Sequence, residues 1–274
     1  MPERVASIDF GTNTARLLIA DRFSDGSFSQ VSIKRKIVRL GGGFDRDKGL
    51  SSEAVERALS CLREFRAEME LHGVSEVRAA ATSAVRDAGN GPAFVETVKA
   101  ETGISLSVIG GELEGRITLQ GVLSGLDEKP EKIMMFDVGG GSTEYIVARC
   151  FSPCFVSSLP LGVVRLTEGK SSIGAMSDKI ARELSLLHAM ILEAGQMIHP
   201  GETLLVGTAG TATTLAAISL EMEQYDYRKV NNHLLDIGEI KRIYNMLLPL
   251  SPQERLQVPG LEPEIGRASC RERV

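Results

Sequence analysis

The chain has 274 residues, 43% hydrophobic and 24% charged, with 28 glycines and a formal net charge of −5. That length accommodates two domains with cores of their own, and the composition excludes collagenous, disordered and membrane-embedded chains. The negative balance argues against wrapping nucleic acid through a basic surface, so an anion site has to be local, built from backbone amides and a few arginines.

The start, MPERVASIDF, has no signal-peptide pattern, and no apolar run approaches the ~18 residues of a membrane span. A cytoplasmic protein without a membrane partner is therefore expected. Cys61, Cys150, Cys154 and Cys270 show no CxxC spacing, which points to reduced thiols rather than a zinc site. Val5 to Asp9 and Ala15 to Ala20 flank the turn DFGTNT and read as a hairpin, with Val31 to Leu40 as a third strand. A helix capped by Ser51 or Ser52 carries Val55, Leu59, Leu62, Phe65 and Met69 at helical spacing as far as His72-Gly73. Then come strand Val77 to Ala81, helix Pro92 to Thr102, strand Leu106 to Ile109 and helix Glu112 to Gly125. The second half reads as strands Ile133 to Asp137, Glu144 to Arg149 and Phe155 to Leu159, helix Ser177 to Met197 and strand Thr203 to Val206. A helix beginning near Thr213, a polar segment Tyr225 to Val230 and a last helix Ile237 to Leu247 complete it.

The two halves repeat. At an offset of 128 positions, IDFGTNTARLLIA lies over FDVGGGSTEYIVA, so each half opens with an aspartate, a glycine turn and an outgoing apolar strand. This predicts an α/β protein of two related domains, 1–125 and 126–263.

Four segments carry phosphate-binding chemistry. In the first turn Asp9 precedes Gly11, Thr12, Asn13 and Thr14, which offer amide and hydroxyl donors, although the same residues suit an ordinary hairpin turn. In the second, Gly139, Gly140, Gly141 and Ser142 stand between Asp137 and Glu144, and three glycines exceed what a plain hairpin requires. Gly207 to Thr211 leads directly from an apolar strand, expected to be buried, into a helix, so the amides near Gly210 and Thr211 aim at an anion above the helix start. The stretch AATSAVRDAGN supplies Ser83 and Arg86, a guanidinium fork suited to phosphate.

In order, ASIDFGTNTARLLIA, RAAATSAVRDAGN, MFDVGGGSTEYIV, SLPLGVVRLTE and GTAGTATTLAA resemble the exopolyphosphatase and guanosine pentaphosphate phosphohydrolase family. The resemblance runs from Val5 to about Ala217. It implies two ribonuclease-H-like domains of the actin-like ATPase superfamily flanking an interdomain cleft, and a hydrolase releasing the terminal phosphate of polyphosphate or guanosine pentaphosphate. Glu114 matches the family's catalytic base, with Glu112 as the weaker candidate; members often read Glu-Glu-Ala where this chain has Leu113-Glu114-Gly115. Asp137, Glu144 and Asp9 resemble the acids that hold Mg²⁺ or Mn²⁺. Gly11, Thr12, Asn13, Ser83, Arg86, Gly139, Gly140, Gly141, Ser142, Gly210 and Thr211 would hold phosphate oxygens, with Arg39 and Arg165 adding charge or serving as structural ion-pair partners. Gly42 stands where members often carry an acid. Members often dimerise, so a homodimer is an expectation without support in the residues themselves.

The last eleven residues, Glu264 to Val274, read as the translation of a sequencing adapter rather than as part of the fold. The expectation is a shortened chain whose natural gene continues beyond Pro263, with apolar surface exposed as a result. Two other readings stay open: a kinase or ATPase of the same superfamily using Gly207 to Thr211 for a nucleotide, and a non-catalytic sensor of polyphosphate or guanosine phosphates.

Overall fold

A computed structural model describes residues 2–44, 49–128, 130–169, 172–199 and 201–261. The eleven-residue tail therefore lies outside the described residues. The chain forms two compact units, Met1–Gly110 and Gly111–Val274.

The first unit contains β1 (Glu3–Phe10), β2 (Thr14–Arg22), β3 (Phe28–Ile37), α1 (Ser52–Leu71), β4 (Glu76–Ala81), α2 (Ser83–Arg86), α3 (Gly91–Thr102) and β5 (Leu106–Val108). Its sheet runs β3-β2-β1-β4-β5. The first three strands are antiparallel neighbours, whereas β4 and β5 extend the sheet in parallel from β1. This is the ribonuclease-H-like arrangement. Alternation along β1 sends Ala6, Ile8 and Phe10 inward, where they meet Leu59, Leu62 and Phe65 of α1 in one core. Phe10 also meets Phe94 of α3, with ring centroids 6.1 Å apart. Helix α1 starts as its pattern predicts, the Ser51 hydroxyl accepting from the Ala54 amide.

The second unit contains α4 (Gly111–Gly125), β6 (Lys132–Val138), β7 (Thr143–Arg149), β8 (Ser152–Leu159), α5 (Val163–Gly169), α6 (Ile173–Glu193), β9 (Leu204–Thr208), α7 (Ala209–Ser219), α8 (Tyr227–Val230), α9 (Ile237–Leu247) and α10 (Pro252–Arg255). Its sheet, β8-β7-β6-β9, repeats the first four positions of the other. Among the described residues no strand pairs with the free edge of β9, the place β5 takes beside β4. The sequence reading put residues 111–125 with the first domain, whereas the structure groups α4 with the second unit.

Several boundaries differ from the sequence pattern for local reasons. Helix α6 begins at Ile173 rather than Ser177, because the Ser172 hydroxyl caps it by accepting from the Ala175 amide. It stops at Glu193 because Gly195 turns left-handed at φ 68°. Helix α7 starts directly after β9, at Ala209, which itself adopts φ 63°. The strand feeding it is not buried: β9 is an edge strand, and Leu205 is 62% exposed. Helix α5 falls in a stretch for which the sequence pattern predicts no element, and the third strand, β3, ends at Ile37, short of Leu40.

Candidate functional site

In the first unit the turn after β1 is closed by the Gly11 amide donating to the Thr14 carbonyl at 3.0 Å. In the second, the Gly139 amide donates to Ser142, also at 3.0 Å. In both, a β-carbon on the glycine would lie 3.1 Å from the accepting oxygen. The 128-residue repeat is thus a repeat of turn geometry as well as of letters.

Around the first turn, the Val38 and Arg39 amides donate to the Asn13 carbonyl and the Gly41 amide to that of Thr12. Arg39 turns left-handed at φ 47°, and Arg57 donates to the carbonyls of Val38 and Arg39, which pins the loop. The Thr12 and Ser83 hydroxyls, both buried, share a 2.8 Å hydrogen bond. Two predicted phosphate residues 71 positions apart are therefore in contact. The Asn13 side-chain oxygen is enclosed and meets no hydrogen-bond donor among the described residues. A buried polar atom of that kind is costly unless a ligand or water completes it. Arg86, at the end of α2, donates to the Ile109 carbonyl at 2.9 Å and lies 3.5 Å from Asp87. Asp9 pairs with Arg16 directly across β1 and β2, at 3.5 Å. Burial pushes the Asp9 carboxyl above its ordinary range, with Arg16 pulling it back, although 55% of the side chain still meets solvent.

The second unit carries the denser constellation. Register places Thr208, Asp137, Glu144 and Ser158 side by side across β9, β6, β7 and β8, and residues directly opposite share a face. The corresponding row in the first unit reads Ala80, Asp9, Arg16 and Arg35. Where the first unit sets an arginine against its aspartate, the second sets another carboxylate. Glu144 is 1% exposed, and its Oε1 accepts from the Ser158 hydroxyl at 2.7 Å. Asp137 is half-buried.

The glycine turn is braced from one side. The Val163 amide donates to the Gly139 carbonyl, and those of Val164 and Arg165 donate to Gly140. A β-carbon at Gly162 would fall 2.2 Å from the Gly140 oxygen. None of Gly139, Gly140 and Gly141 has positive φ among the described residues. The need for glycine at position 162 thus comes from backbone packed on backbone, a contact outside the turn that the three-glycine pattern does not predict. Gly210 and Thr211 lie in the first turn of α7 rather than in a loop before it, next to Thr208 in the carboxylate row.

Glu114 stands in the first turn of α4, half-buried, with one carboxylate oxygen shut off from solvent. Glu112 faces outward, 69% exposed and paired with Arg116 at 2.9 Å. The predicted residues thus form two groups, one per unit: Asp9, Gly11, Thr12, Asn13, Ser83 and Arg86 in the first, and Glu114, Asp137, Gly139 to Ser142, Glu144, Gly210 and Thr211 in the second. Sequence reasoning missed Ser158, Gly162 and Gly111. The first two lie inside the quoted SLPLGVVRLTE motif, whose serine and glycine were the available signal.

A family model for the Ppx/GppA phosphatase family matches residues 19–268. The chain belongs to this family. It is 30% identical to exopolyphosphatase 2 of Mycobacterium tuberculosis over 278 residues, covering 97% of this chain and 85% of that one. It is 32% identical over 271 residues to the bifunctional 3-dehydroquinate synthase/phosphatase of Fusobacterium nucleatum, covering 94% of this chain and spanning 40% of that protein's length. Among solved structures it resembles an exopolyphosphatase from Cytophaga hutchinsonii, with a TM-score of 0.87 at 27% identity, covering 97% of this chain and 86% of the other. The Aquifex aeolicus family member gives a TM-score of 0.77 at 31% identity, with 98% and 86% covered.

Among the described residues no group of three or more histidine, cysteine, aspartate or glutamate side chains could hold a metal ion. Two opposed carboxylates, Asp137 and Glu144, nevertheless suit Mg²⁺, which keeps several waters and is bound through one or two carboxylates plus substrate phosphate. Like charges directly opposite on a sheet are destabilising by themselves, a cost that a hard cation would offset. Of the described residues, no helix is long and apolar enough to cross a membrane.

Proposed function

We propose that this chain is an exopolyphosphatase, cutting the terminal phosphoanhydride of inorganic polyphosphate, with guanosine pentaphosphate as the second substrate to test. The observation that carries the reading is Glu114, held half-buried at the head of a helix whose first residue packs close to Ser158, the partner of buried Glu144 in the carboxylate row. Family membership and the names of the relatives support the same direction.

In this reading the chain's own groups do the following. Glu114 aims a water at the terminal phosphorus and accepts its proton as the new P–O bond forms and the anhydride P–O bond breaks. The leaving chain departs as an oxyanion. Amides of the glycine turn and the Ser142 hydroxyl hold phosphate oxygens in the second unit, and Thr12, Asn13 and Ser83 do so in the first. The enclosed Asn13 oxygen, an acceptor, would meet a phosphate hydroxyl or a bridging water. Asp137 and Glu144 would hold Mg²⁺, which when bound neutralises phosphate charge.

The test is phosphate release from both substrates, with and without Mg²⁺, beside Glu114→Gln and Glu112→Gln. Glu114→Gln should lower kcat by roughly 10²- to 10⁴-fold, the usual contribution of a general base. Glu112→Gln should leave the rate unchanged, since that side chain is exposed and paired only along its helix. Full activity in Glu114→Gln, or ADP formation that depends on an acceptor, would overturn the proposal.

A further inference from the structure

The start of α4 lies unusually close to β7 and β8. A β-carbon on Gly111 would fall 2.4 Å from the Ser158 β-carbon, 2.5 Å from its hydroxyl and 3.6 Å from Glu144 Oε1. One turn later, a β-carbon on Gly115 would lie 3.1 Å from Ile146 and 3.2 Å from Val156. Glu144 opposes Ser158, and Ile146 opposes Val156, two residues further along the same face. A step of four helix residues advances about 6 Å. Two strand residues advance about 6.8 Å. The ridge Gly111, Gly115, Leu119 therefore keeps step with the row Glu144, Ile146, Ala148, and Leu119, Ile146 and Ala148 do share one buried cluster. Glu114 sits between the two ridge glycines.

We propose that Ser158 and Gly111 are positioning residues: the Ser158 hydroxyl fixes the buried Glu144 carboxylate, and the resulting Ser158–Glu144 pair is the seat on which the first turn of α4, and with it Glu114, is set. Two facts make this more than ordinary packing. The Ser158 hydroxyl is committed to a carboxylate that is shut away from solvent, so its removal takes a donor from a buried Glu144 oxygen that water does not reach. And the helix reaches the pair only because residue 111 has no side chain, so the seat is shaped by both partners. The link from seat to rate rests on the proposed role of Glu114. The seat itself does not.

Ser158→Ala, Ser158→Cys and Gly111→Ala separate the two. Hydrogen exchange of the amides in residues 111–118 reads the seat directly, and steady-state kinetics on polyphosphate, with thermal melting as the control for global folding, read its consequence. Ser158→Ala should speed exchange in that segment severalfold while β6 and β7 keep their protection. It should lower kcat by tenfold or more and change KM less than about threefold, the pattern expected when only the reacting geometry is lost. Ser158→Cys, which keeps the same number of side-chain atoms but only a weak donor, should fall between the two. Gly111→Ala, which leaves the Ser158 hydroxyl in place but pushes the helix off it, should reproduce the kcat loss. Unchanged exchange over 111–118 in both Ser158→Ala and Gly111→Ala would overturn the seat, as would a KM rise with kcat intact in both. If the wild-type chain releases no phosphate from either substrate, the hydrolase reading fails, and the exchange measurement still decides the seat.

Discussion

Replacing Gly162 by alanine would force apart two pieces of backbone that hold the glycine turn in place. The added methyl would stand 2.2 Å from the Gly140 oxygen and 2.3 Å from the carbonyl carbons of Gly140 and Gly141. All three are main-chain atoms, so no change of rotamer relieves the clash. Restoring a 3.4 Å contact requires a shift of about 1.2 Å between the start of α5 and the turn. That shift breaks the bonds from the Val164 and Arg165 amides to Gly140, at 2.9 and 3.2 Å. With about 0.5–1.5 kcal/mol for each bond and about 1–3 kcal/mol for overpacking, the variant should lose about 2–6 kcal/mol. At about 2–4 °C per kcal/mol for a chain of this size, Tm should fall by at least about 4 °C. A misplacement near 1 Å costs roughly 10²-fold in rate, so kcat on polyphosphate should fall by that order even in the fraction that stays folded. Thermal melting and phosphate release on Gly162→Ala, measured side by side, check both numbers. A Tm within about 1 °C of wild type together with an unchanged kcat would refute the reasoning, because the turn would then not depend on the close approach of Gly162.

Three more outcomes follow from the described geometry. Thr12→Val and Ser83→Ala each leave one buried hydroxyl without its partner and should cost about 1–3 kcal/mol in urea unfolding. The double variant should cost less than the sum of the two, and strict additivity would show that the hydroxyls do not act on each other. For Asp9, the folded state raises the carboxyl above its unfolded value, so the folded chain holds more protons between those two values, and stability falls as pH rises through that window. Asp9→Asn should therefore be more stable than wild type at pH 7, with the gap closing as pH drops below the unfolded value; a variant less stable at pH 7 would mean that the pairing with Arg16 outweighs burial. Leu205→Lys, on the open edge of β9, should reduce concentration-dependent aggregation while shifting stability by no more than about 0.5 kcal/mol. Light scattering during a concentration series tests it, and unchanged aggregation would remove that edge as the cause.

The parts of this protein that a reader of the sequence obtains are those written in short-range pattern. The 3.6-residue spacing of Leu59, Leu62 and Phe65 and the Ser51 cap settle α1, because helix formation and capping involve neighbours within four positions. The two aspartate-glycine hairpins are legible for the same reason: a turn and its flanking alternation fit within about a dozen residues. Family resemblance then points to Glu114, Asp137 and Glu144 without saying what they touch. What touches what was decided by the fold. Register between β7 and β8 brings Ser158 against Glu144, fourteen positions away, and helix-to-sheet packing sets Gly111 on that pair. Gly162 closes on Gly140, 22 positions upstream (162 − 140), and Thr12 meets Ser83 past the ends of the neighbouring strands β1 and β4. The exposure of Leu205, on the open face of an edge strand whose neighbours Leu204 and Val206 are half-buried, is likewise not revealed by the apolar letters Leu204-Leu205-Val206. These contacts depend on strand order and on how near a helix can approach a strand. Both are set by the packing of whole elements, and no window of adjacent residues contains them.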